Sequence, residues 1–556
     1  MSSNNIFSFK SQNNDFLSLM NQKKEYQEKK KEEEKKKKKV HVTYIDYKTI
    51  QFTQDQKRAF DALSTDSNIL ITGPAGTGKS TLLKAYYCYY IDKYCMGNMD
   101  DESIYITSTT GISSMNISGI TIHSWSGIED GSKSIDYYVE KIKSNPTKRG
   151  SYNRWKKAKV LIIDEISMMS GDLLDKLSIL GQKLRGKKEP FGGIKVVLFC
   201  DFLQLPPVKS DLFCFDAICW RRLNLEVFHL NEIMRQKDQE FQHILNKIRI
   251  GFVDEMVETY LNNILKKGKV TRDDNIIPTL IFPLRKQVAN YNQNELMKLN
   301  GDHVHYQASY TFSKNVEEYE KERFIHIINE GTNCEEQLDL VIGAQVMYLV
   351  NDNELKLVNG SRGIIIDFIK RNSVNDLGVT EQETLPVVKF LNIEKPVTVS
   401  YEIWSHEDKN GKAVSKKQMP LMLAWALTVH KTQGCTLDYV ELNIGKDIFE
   451  AGQTYVALSR VKEPSGLFIS ALDVSKIKAH QRCIDFYLKL FQKNNHSDSS
   501  NKNIDQECII CFDIESNDKP FVKCKKCKYG LHFHCWKQYC EYKKEEKCCY
   551  CRQDFE

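Results

Sequence analysis

The sequence predicts an α/β chain built on parallel sheet, carrying a small metal-stapled module at its C-terminal end. Three observations predict this. Short apolar runs alternate with helix-like stretches through the body. A glycine-rich phosphate-loop pattern, Gly73 to Ser80, sits where the first such run gives way to a helix. Nine of the 17 cysteines fall between Cys508 and Cys551, while the other eight are scattered singly.

The runs Ser67–Thr72, Ser103–Ser108, Val160–Ile163 and Lys195–Phe199 have the length and β-branching of buried strands. Amphipathic segments such as Leu173–Arg185 lie between them. That order implies a parallel sheet with helices on both faces, whose chemistry sits at the carboxyl ends of the strands. At 556 residues, and roughly 100–200 residues per domain, three or four domains are expected. With 41% hydrophobic and 27% charged residues, there is ample material for a core. The longest apolar stretch, near Leu421–Val429, is about half of the ~20 residues a membrane span needs. No amino-terminal segment has a signal peptide's apolar centre, so neither a membrane partner nor secretion is expected. Single scattered cysteines suit the reducing interior of a cell.

Charge is concentrated at the ends. Residues 1–50 hold 12 Lys against 7 acidic residues, and the run Lys23–Lys39 reads as a disordered Lys/Glu-rich tail. Residues 501–556 hold 11 basic and 10 acidic residues, which leaves the body neutral within the overall +6. A nucleic-acid site in the body must therefore come from local placement of donors, not from a basic field. Lys35–Lys39 is a candidate nuclear address or nucleic-acid arm. The polar break Asn494–Asn503, within a linker at 491–505, separates the body from a module at 506–556.

At GPAGTGKS, glycines let backbone N–H groups converge on phosphates, and the helix start adds positive potential. Gly73, Pro74, Ala75, Gly76, Thr77, Gly78, Lys79, Ser80 and Thr81 are the expected nucleotide-binding residues. Lys79 would neutralise β/γ oxygens, and Ser80 would hold Mg²⁺. Asp164 and Glu165 follow the third strand, where one carboxylate can serve Mg²⁺ and its neighbour the attacking water. Gln204, after the next strand, could reach the γ-phosphate.

Seven ordered blocks resemble the Pif-type (petite integration frequency) DNA helicases of superfamily one, class B. They include TSTTGISSMNISGITIHSWSGI, DEISMM through CDFLQLPPV, MRQKD, GAQVMYL, LVNGSRG, PLMLAWALTVHKTQGCTLD and GQTYVALSRV. The resemblance spans about residues 51–490. It implies two RecA-like core domains, at 51–220 and 221–490, with a small wedge insertion near 129–151 and a β-barrel insertion near 343–420. It implies catalytic roles for Lys79, Asp164, Glu165 and Gln204, with Arg235 and Arg460 as arginine fingers, and adenine recognition by Gln56. It places single-stranded DNA against Thr107, Ser108, Thr109, Thr110, His123, His430, Lys431 and Thr432. It implies ATP and Mg²⁺ as cofactors, and translocation from 5′ to 3′ on single-stranded DNA with unwinding of duplex DNA, in replication, repair or recombination. Cys200 stands where the family usually has Gly, and Thr432 where Ser is common. An RNA helicase is the competing nucleic-acid reading. The cellular expectation is a nucleus or a viral replication site, more than a mitochondrion.

In the C-terminal module, Cys508, Cys511, Cys524, Cys527, His532, Cys535, Cys548 and Cys551 form four pairs of soft ligands, suited to two tetrahedral Zn²⁺ ions. A module of about 50 residues hardly builds its own core, so metal would supply folding energy. The order resembles RING and PHD cross-brace fingers. That resemblance implies one zinc on Cys508, Cys511, His532 and Cys535, and another on Cys524, Cys527, Cys548 and Cys551, with His534 able to replace His532. Arg552, Ile510 and Tyr539 would then face ubiquitin and a ubiquitin-conjugating enzyme, although Cys549 replaces the usual proline. The competing readings for the module are a ubiquitin ligase, with the ATPase body targeting it to DNA, and a docking module for another protein.

Overall fold

Runs of residues apolar on both faces can only be strands covered from two sides, and the first of them, Ile69–Thr72, is buried throughout. In the computed structural model, β1 (Ile69–Thr72), β2 (Ile104–Ser108), β3 (Ile120–Thr121), β4 (Val160–Asp164), β5 (Lys195–Cys200) and β6 (Glu226–His229) make one sheet. Its order is β3-β2-β4-β5-β1-β6, and every pairing is parallel. The structure describes residues 44–99, 101–129, 131–144, 149–208, 210–267, 276–332, 334–350, 352, 355, 357, 359–374, 380–391, 393–407, 412–432, 436–445, 447–497, 508, 521–524 and 530–543. The Lys/Glu-rich tail expected at 1–50 lies mostly outside them. Among the described residues, no helix is long and apolar enough to cross a membrane.

The helix Gly171–Arg185 covers one face of this sheet, started by the Ser170 hydroxyl, which accepts the Leu173 N–H, and stopped at Gly186. The stretch expected as a wedge contains the helix Ile135–Ser144 and the start of the helix Arg149–Lys157. Tyr138 and Ile142 from it, and Trp155 just beyond it, are buried in the core of this first domain.

A second, four-stranded parallel sheet runs Ala426–Thr428, Thr279–Phe282, Val440–Ile444 and Leu467–Leu472 in spatial order. The helices Gln239–Arg249 and Glu255–Lys267 share its apolar core through Phe241, Ile244, Ile248, Val257 and Leu261. Two parallel-sheet cores are thus present, as expected.

The described elements cross the expected domain limits in three places. Strand β6 still belongs to the first sheet, so the first core runs past residue 220. The helix Gln481–Ser497, expected near the end of the second core, returns to the first, where Cys483, Tyr487 and Leu490 pack with Phe202, Phe213 and Cys214. The insertion also begins earlier than 343. Val304–Gln307 pairs with Gln337–Leu340, and Ser309–Phe312 joins a three-stranded sheet with Glu402–Glu407 and Ala413–Gln418. A five-stranded antiparallel sheet centred on Arg362–Val374 completes it. These early strands were missed because their partners lie tens of residues away. The described part of the C-terminal module is the hairpin Phe521–Lys523 with Gly530–His532, and the helix Phe533–Lys543.

Candidate nucleotide site and C-terminal metal site

The phosphate loop leaves β1 at Thr72 and enters the helix Lys79–Tyr94. Gly76 and Gly78 have φ of 86° and 78°, the left-handed region that glycine takes without steric cost. Space excludes a side chain as well. A Cβ at Gly76 would lie 2.7 Å from Arg235 Cβ, and one at Gly78 would lie 2.5 Å from Gln56 Nε2. Met234 donates its N–H to Gly76 O at 2.8 Å, so the Met234–Gln236 segment lies along the loop. Lys79 Nζ donates to Gly73 O (2.7 Å) and Pro74 O (2.8 Å). Burial lowers its pKa, against the opposing fields of Asp201 and Glu165. Thr77 closes the loop on itself through Pro74 O, while Ser80 and Thr81 are exposed at the helix mouth.

Asp164 ends β4 and is buried; that burial, with the Glu165 charge beside it, pushes its carboxyl up to about 7. Its Oδ1 accepts the Glu165 N–H at 2.9 Å. Glu165 itself sits at φ 51°, an uncommon conformation for a residue with a side chain, and its carbonyl accepts the Thr109 hydroxyl at 3.0 Å. Gln204 is buried and close to Asp201, its Nε2 3.5 Å from Oδ2, and its Oε1 has no hydrogen-bond partner among the described residues. Gly452, from the second core, packs so closely on Gln204 that a Cβ would lie 2.2 Å from its carbonyl oxygen.

The arginines divide. Arg235 stands at the loop and donates through Nη1 to Ser459 O at 2.9 Å. Arg460 is buried, its Nε donating to Val456 O and its Nη2 to Ser459 Oγ, so the guanidinium is held by the end of the helix Gln453–Leu458 just before it. Gln56 closes a capping box with Thr53 and donates through Nε2 to Thr77 O at 2.9 Å. Its amide therefore fastens the helix Gln54–Leu63 to the phosphate loop.

Three of the residues expected against DNA are buried. Thr107, Ser108 and Thr432 have no exposed surface, and their hydroxyls donate to Ile162 O, Asp164 O and Val429 O. These hydroxyls brace β2 against β4 and close a helical turn, which leaves backbone N–H groups as the route by which these residues would meet a phosphate. Thr109, Thr110, His123 and Lys431 are half-buried and retain surface. The His430 side chain lies outside the described residues.

Sequence reasoning missed a buried group linking the two cores. Asp201, directly after β5, accepts Arg249 Nε at 3.2 and 3.1 Å and Nη2 at 2.8 Å. Tyr487, from the returning helix, bonds Thr72 Oγ1 at 2.5 Å and accepts the Phe202 N–H at 3.1 Å. Tyr455, from the second core, accepts the Ala75 N–H of the phosphate loop at 2.9 Å. The one available signal was a carboxylate immediately after a strand end.

In the C-terminal module, Cys508, His532 and Cys535 are buried, and their ligand atoms all lie within 4.8 Å of one another. Two thiols and an imidazole that converge this closely fit a tetrahedral Zn²⁺. His532 is the imidazole of this cluster, and the His534 side chain lies outside the described residues. Cys524 is buried, whereas Cys511, Cys527, Cys548 and Cys551, with Ile510 and Arg552, lie outside the described residues. Tyr539 packs against an apolar cluster shared with Phe252 of the body.

A family profile described as PIF1-like helicase matches residues 51–259. The chain is 34% identical over 450 residues to the ATP-dependent DNA helicase PIF1 of Xenopus laevis, an alignment covering 79% of this chain and 64% of that protein. It is 34% identical to the uncharacterized protein 030L of Invertebrate iridescent virus 6, covering 79% of this chain and 94% of that one. The crystal structure of Pif1 helicase from Candida albicans superimposes with a TM-score of 0.67 at 35% identity, over 80% of this chain and 100% of that one. That of Bacteroides sp Pif1 in complex with ADP-AlF4 superimposes with a TM-score of 0.61 at 27% identity, over 80% and 98%.

Proposed function

The chain belongs to the PIF1-like helicase family, and from that premise we propose that it is an ATP-dependent DNA helicase moving 5′ to 3′ on single-stranded DNA and unwinding duplex ahead of it. The single observation that carries this reading is the meeting of two cores at one phosphate loop. Lys79, Asp164, Glu165 and Gln204 come from the first core, and Ser459, Tyr455 and Gly452 of the second stand against the same loop and its neighbour. A site shared between two bodies changes when a phosphate in it is cleaved, and that change can move a strand.

In this reading the backbone N–H groups of residues 73–80 and the Lys79 ammonium hold the ATP phosphates, and Ser80 and Asp164 hold Mg²⁺, which would screen the phosphate charge. Glu165 orients and deprotonates the attacking water. Gln204 reports the γ-phosphate from the next strand end, and Arg235 and Arg460 supply cationic donors where charge develops. For Arg460 this requires its guanidinium to leave Val456 and Ser459 on domain closure. Thr109, Thr110, His123, His430 and Lys431 are the proposed DNA-facing residues, and the stretch near 129–151 the wedge. Cys508, Cys511, His532 and Cys535 would hold one structural Zn²⁺, and Cys524, Cys527, Cys548 and Cys551 a second.

The chain spans 64% of the Xenopus relative's length and 94% of the viral relative's, and the proposed place of action is a nucleus or a viral DNA-replication site. The test is strand displacement on duplexes carrying only a 5′ or only a 3′ tail, with RNA and DNA tracking strands in parallel. ATP-dependent separation of the 5′-tailed DNA alone is expected. Separation of none, or of RNA only, overturns the reading.

A further inference from the structure

Among the described residues, the apolar core of the C-terminal module includes residues of the body. Phe252, Cys508, Leu531 and Cys535 are buried in one cluster, flanked by Ile250, Phe521, Trp536 and Tyr539. Phe252 and Ile250 belong to the body and sit at the end of the helix Gln239–Arg249. That end is a Schellman stop: Gly251 N–H bonds Ile248 O, Phe252 N–H bonds Lys247 O, and Gly251 adopts φ 67°. It has no slack, since a Cβ on Gly251 would lie 2.7 Å from the Ala479 nitrogen. The buried Lys247–Asp254 ion pair ties down the chain on either side of it.

The last helical residue before this stop is Arg249, whose guanidinium grips Asp201. Asp201 in turn accepts the Leu203 N–H at 3.2 Å and lies beside Gln204. Only two residues of backbone, Ile250 and Gly251, therefore separate the module's seat, Phe252, from the ion pair that holds the Gln204 loop.

We propose that Phe252 and Arg249 are positioning residues for ATP hydrolysis, and that the metal-bound module, seated on Phe252, keeps Arg249 in register with Asp201 and so holds Gln204 in place. The proposal rests on the helicase and zinc reading above. Helix ends are the first parts of a helix to open, and a C″ residue whose ring loses its apolar cover no longer secures the stop. Opening there moves Arg249 first, because it is the terminal helical residue. Substrate is held by the backbone of the phosphate loop and by Lys79, none of which contacts Phe252 or Arg249 by a hydrogen bond among the described residues, so the turnover step more than ATP affinity is what changes.

The test uses the full-length chain, with zinc counted by elemental analysis and steady-state ATP hydrolysis measured at saturating single-stranded DNA. Phe252→Ser removes the seat, Tyr539→Ser alters the module's side without touching a ligand, and Cys508→Ser with His532→Ala removes metal. Each is expected to lower kcat about fivefold or more while KM for ATP stays within about twofold. Combining Phe252→Ser with the ligand changes is expected to lower it no further. Phe252→Leu is expected to restore most of kcat, which separates loss of the seat from general damage. Unchanged kcat in both the zinc-free chain and the Tyr539→Ser chain overturns the proposal, as does a loss confined to KM. Absence of zinc from the wild-type chain overturns the metal reading alone, and Phe252→Ser against Phe252→Leu then decides the seat by itself.

Discussion

Replacing Arg249 with Met removes the cation that crosses between the two cores while keeping a side chain of similar length. The Arg249 and Asp201 side chains are 2% and 0% exposed, and the fork makes three close N–O approaches of 2.8 to 3.2 Å. Truncating one partner of such a pair leaves a buried charge uncompensated, which costs roughly 3–5 kcal/mol. The Leu203 N–H still serves Asp201, so the lower end, about 3 kcal/mol, is expected for Arg249→Met. Adding Asp201→Asn removes the stranded charge, and the double variant should recover about 2 kcal/mol of that loss. Urea unfolding followed by tryptophan fluorescence measures all four corners of the cycle.

The same pair sets a pH dependence whose sign is determined. Burial opposes the Asp201 charge, but Arg249 outweighs it and holds the carboxyl below the usual range. A depressed carboxyl contributes stability that is complete above the unfolded value near ~3.9 and is lost as pH falls through the folded value. The gap between wild type and Arg249→Met should therefore be wide at pH 7 and close as the solution is acidified below about 4. A cost under about 1 kcal/mol at pH 7, or a gap that persists at low pH, refutes the reasoning.

Three further outcomes are expected. Lys79→Ala abolishes ATP hydrolysis, and Glu165→Gln still binds ATP but turns over about 10²-fold more slowly; normal hydrolysis by Lys79→Ala refutes the site. Asp164 has its carboxyl raised to about 7 by burial and by Glu165, so the folded state favours its protonated form between the unfolded value and about 7, and charging it above that costs stability. Asp164→Asn should thus raise the thermal midpoint of the nucleotide-free protein at pH 8 and change it little below pH ~4, while hydrolysis by the wild type at low Mg²⁺ falls as pH drops below about 7. Thr107→Val should leave single-stranded DNA affinity within about twofold, because its hydroxyl serves Ile162 O; a large loss measured by fluorescence anisotropy would restore it as a DNA contact.

What the residues determine alone is whatever rests on neighbours in the chain. Continuous apolar runs, bounded by polar residues, produce β1, β4 and β5 within a residue or two, because a strand covered on both faces has no polar side to show. The phosphate loop is legible for the same reason: its glycines, lysine and hydroxyl act within eight consecutive residues. So is the pairing of soft ligands, two residues apart, in the C-terminal module. The tertiary structure alone decides what depends on residues far apart. It directs the hydroxyls of Thr107 and Ser108 inward to β4, since a side chain on the central part of a sheet faces whichever layer covers it. It returns the helix Gln481–Ser497 to the first core, and it sets Arg249 against Asp201 and Phe252 against Leu531. No periodicity marks such partners, because apolar burial and ion pairing reward closeness in space and are indifferent to separation along the chain.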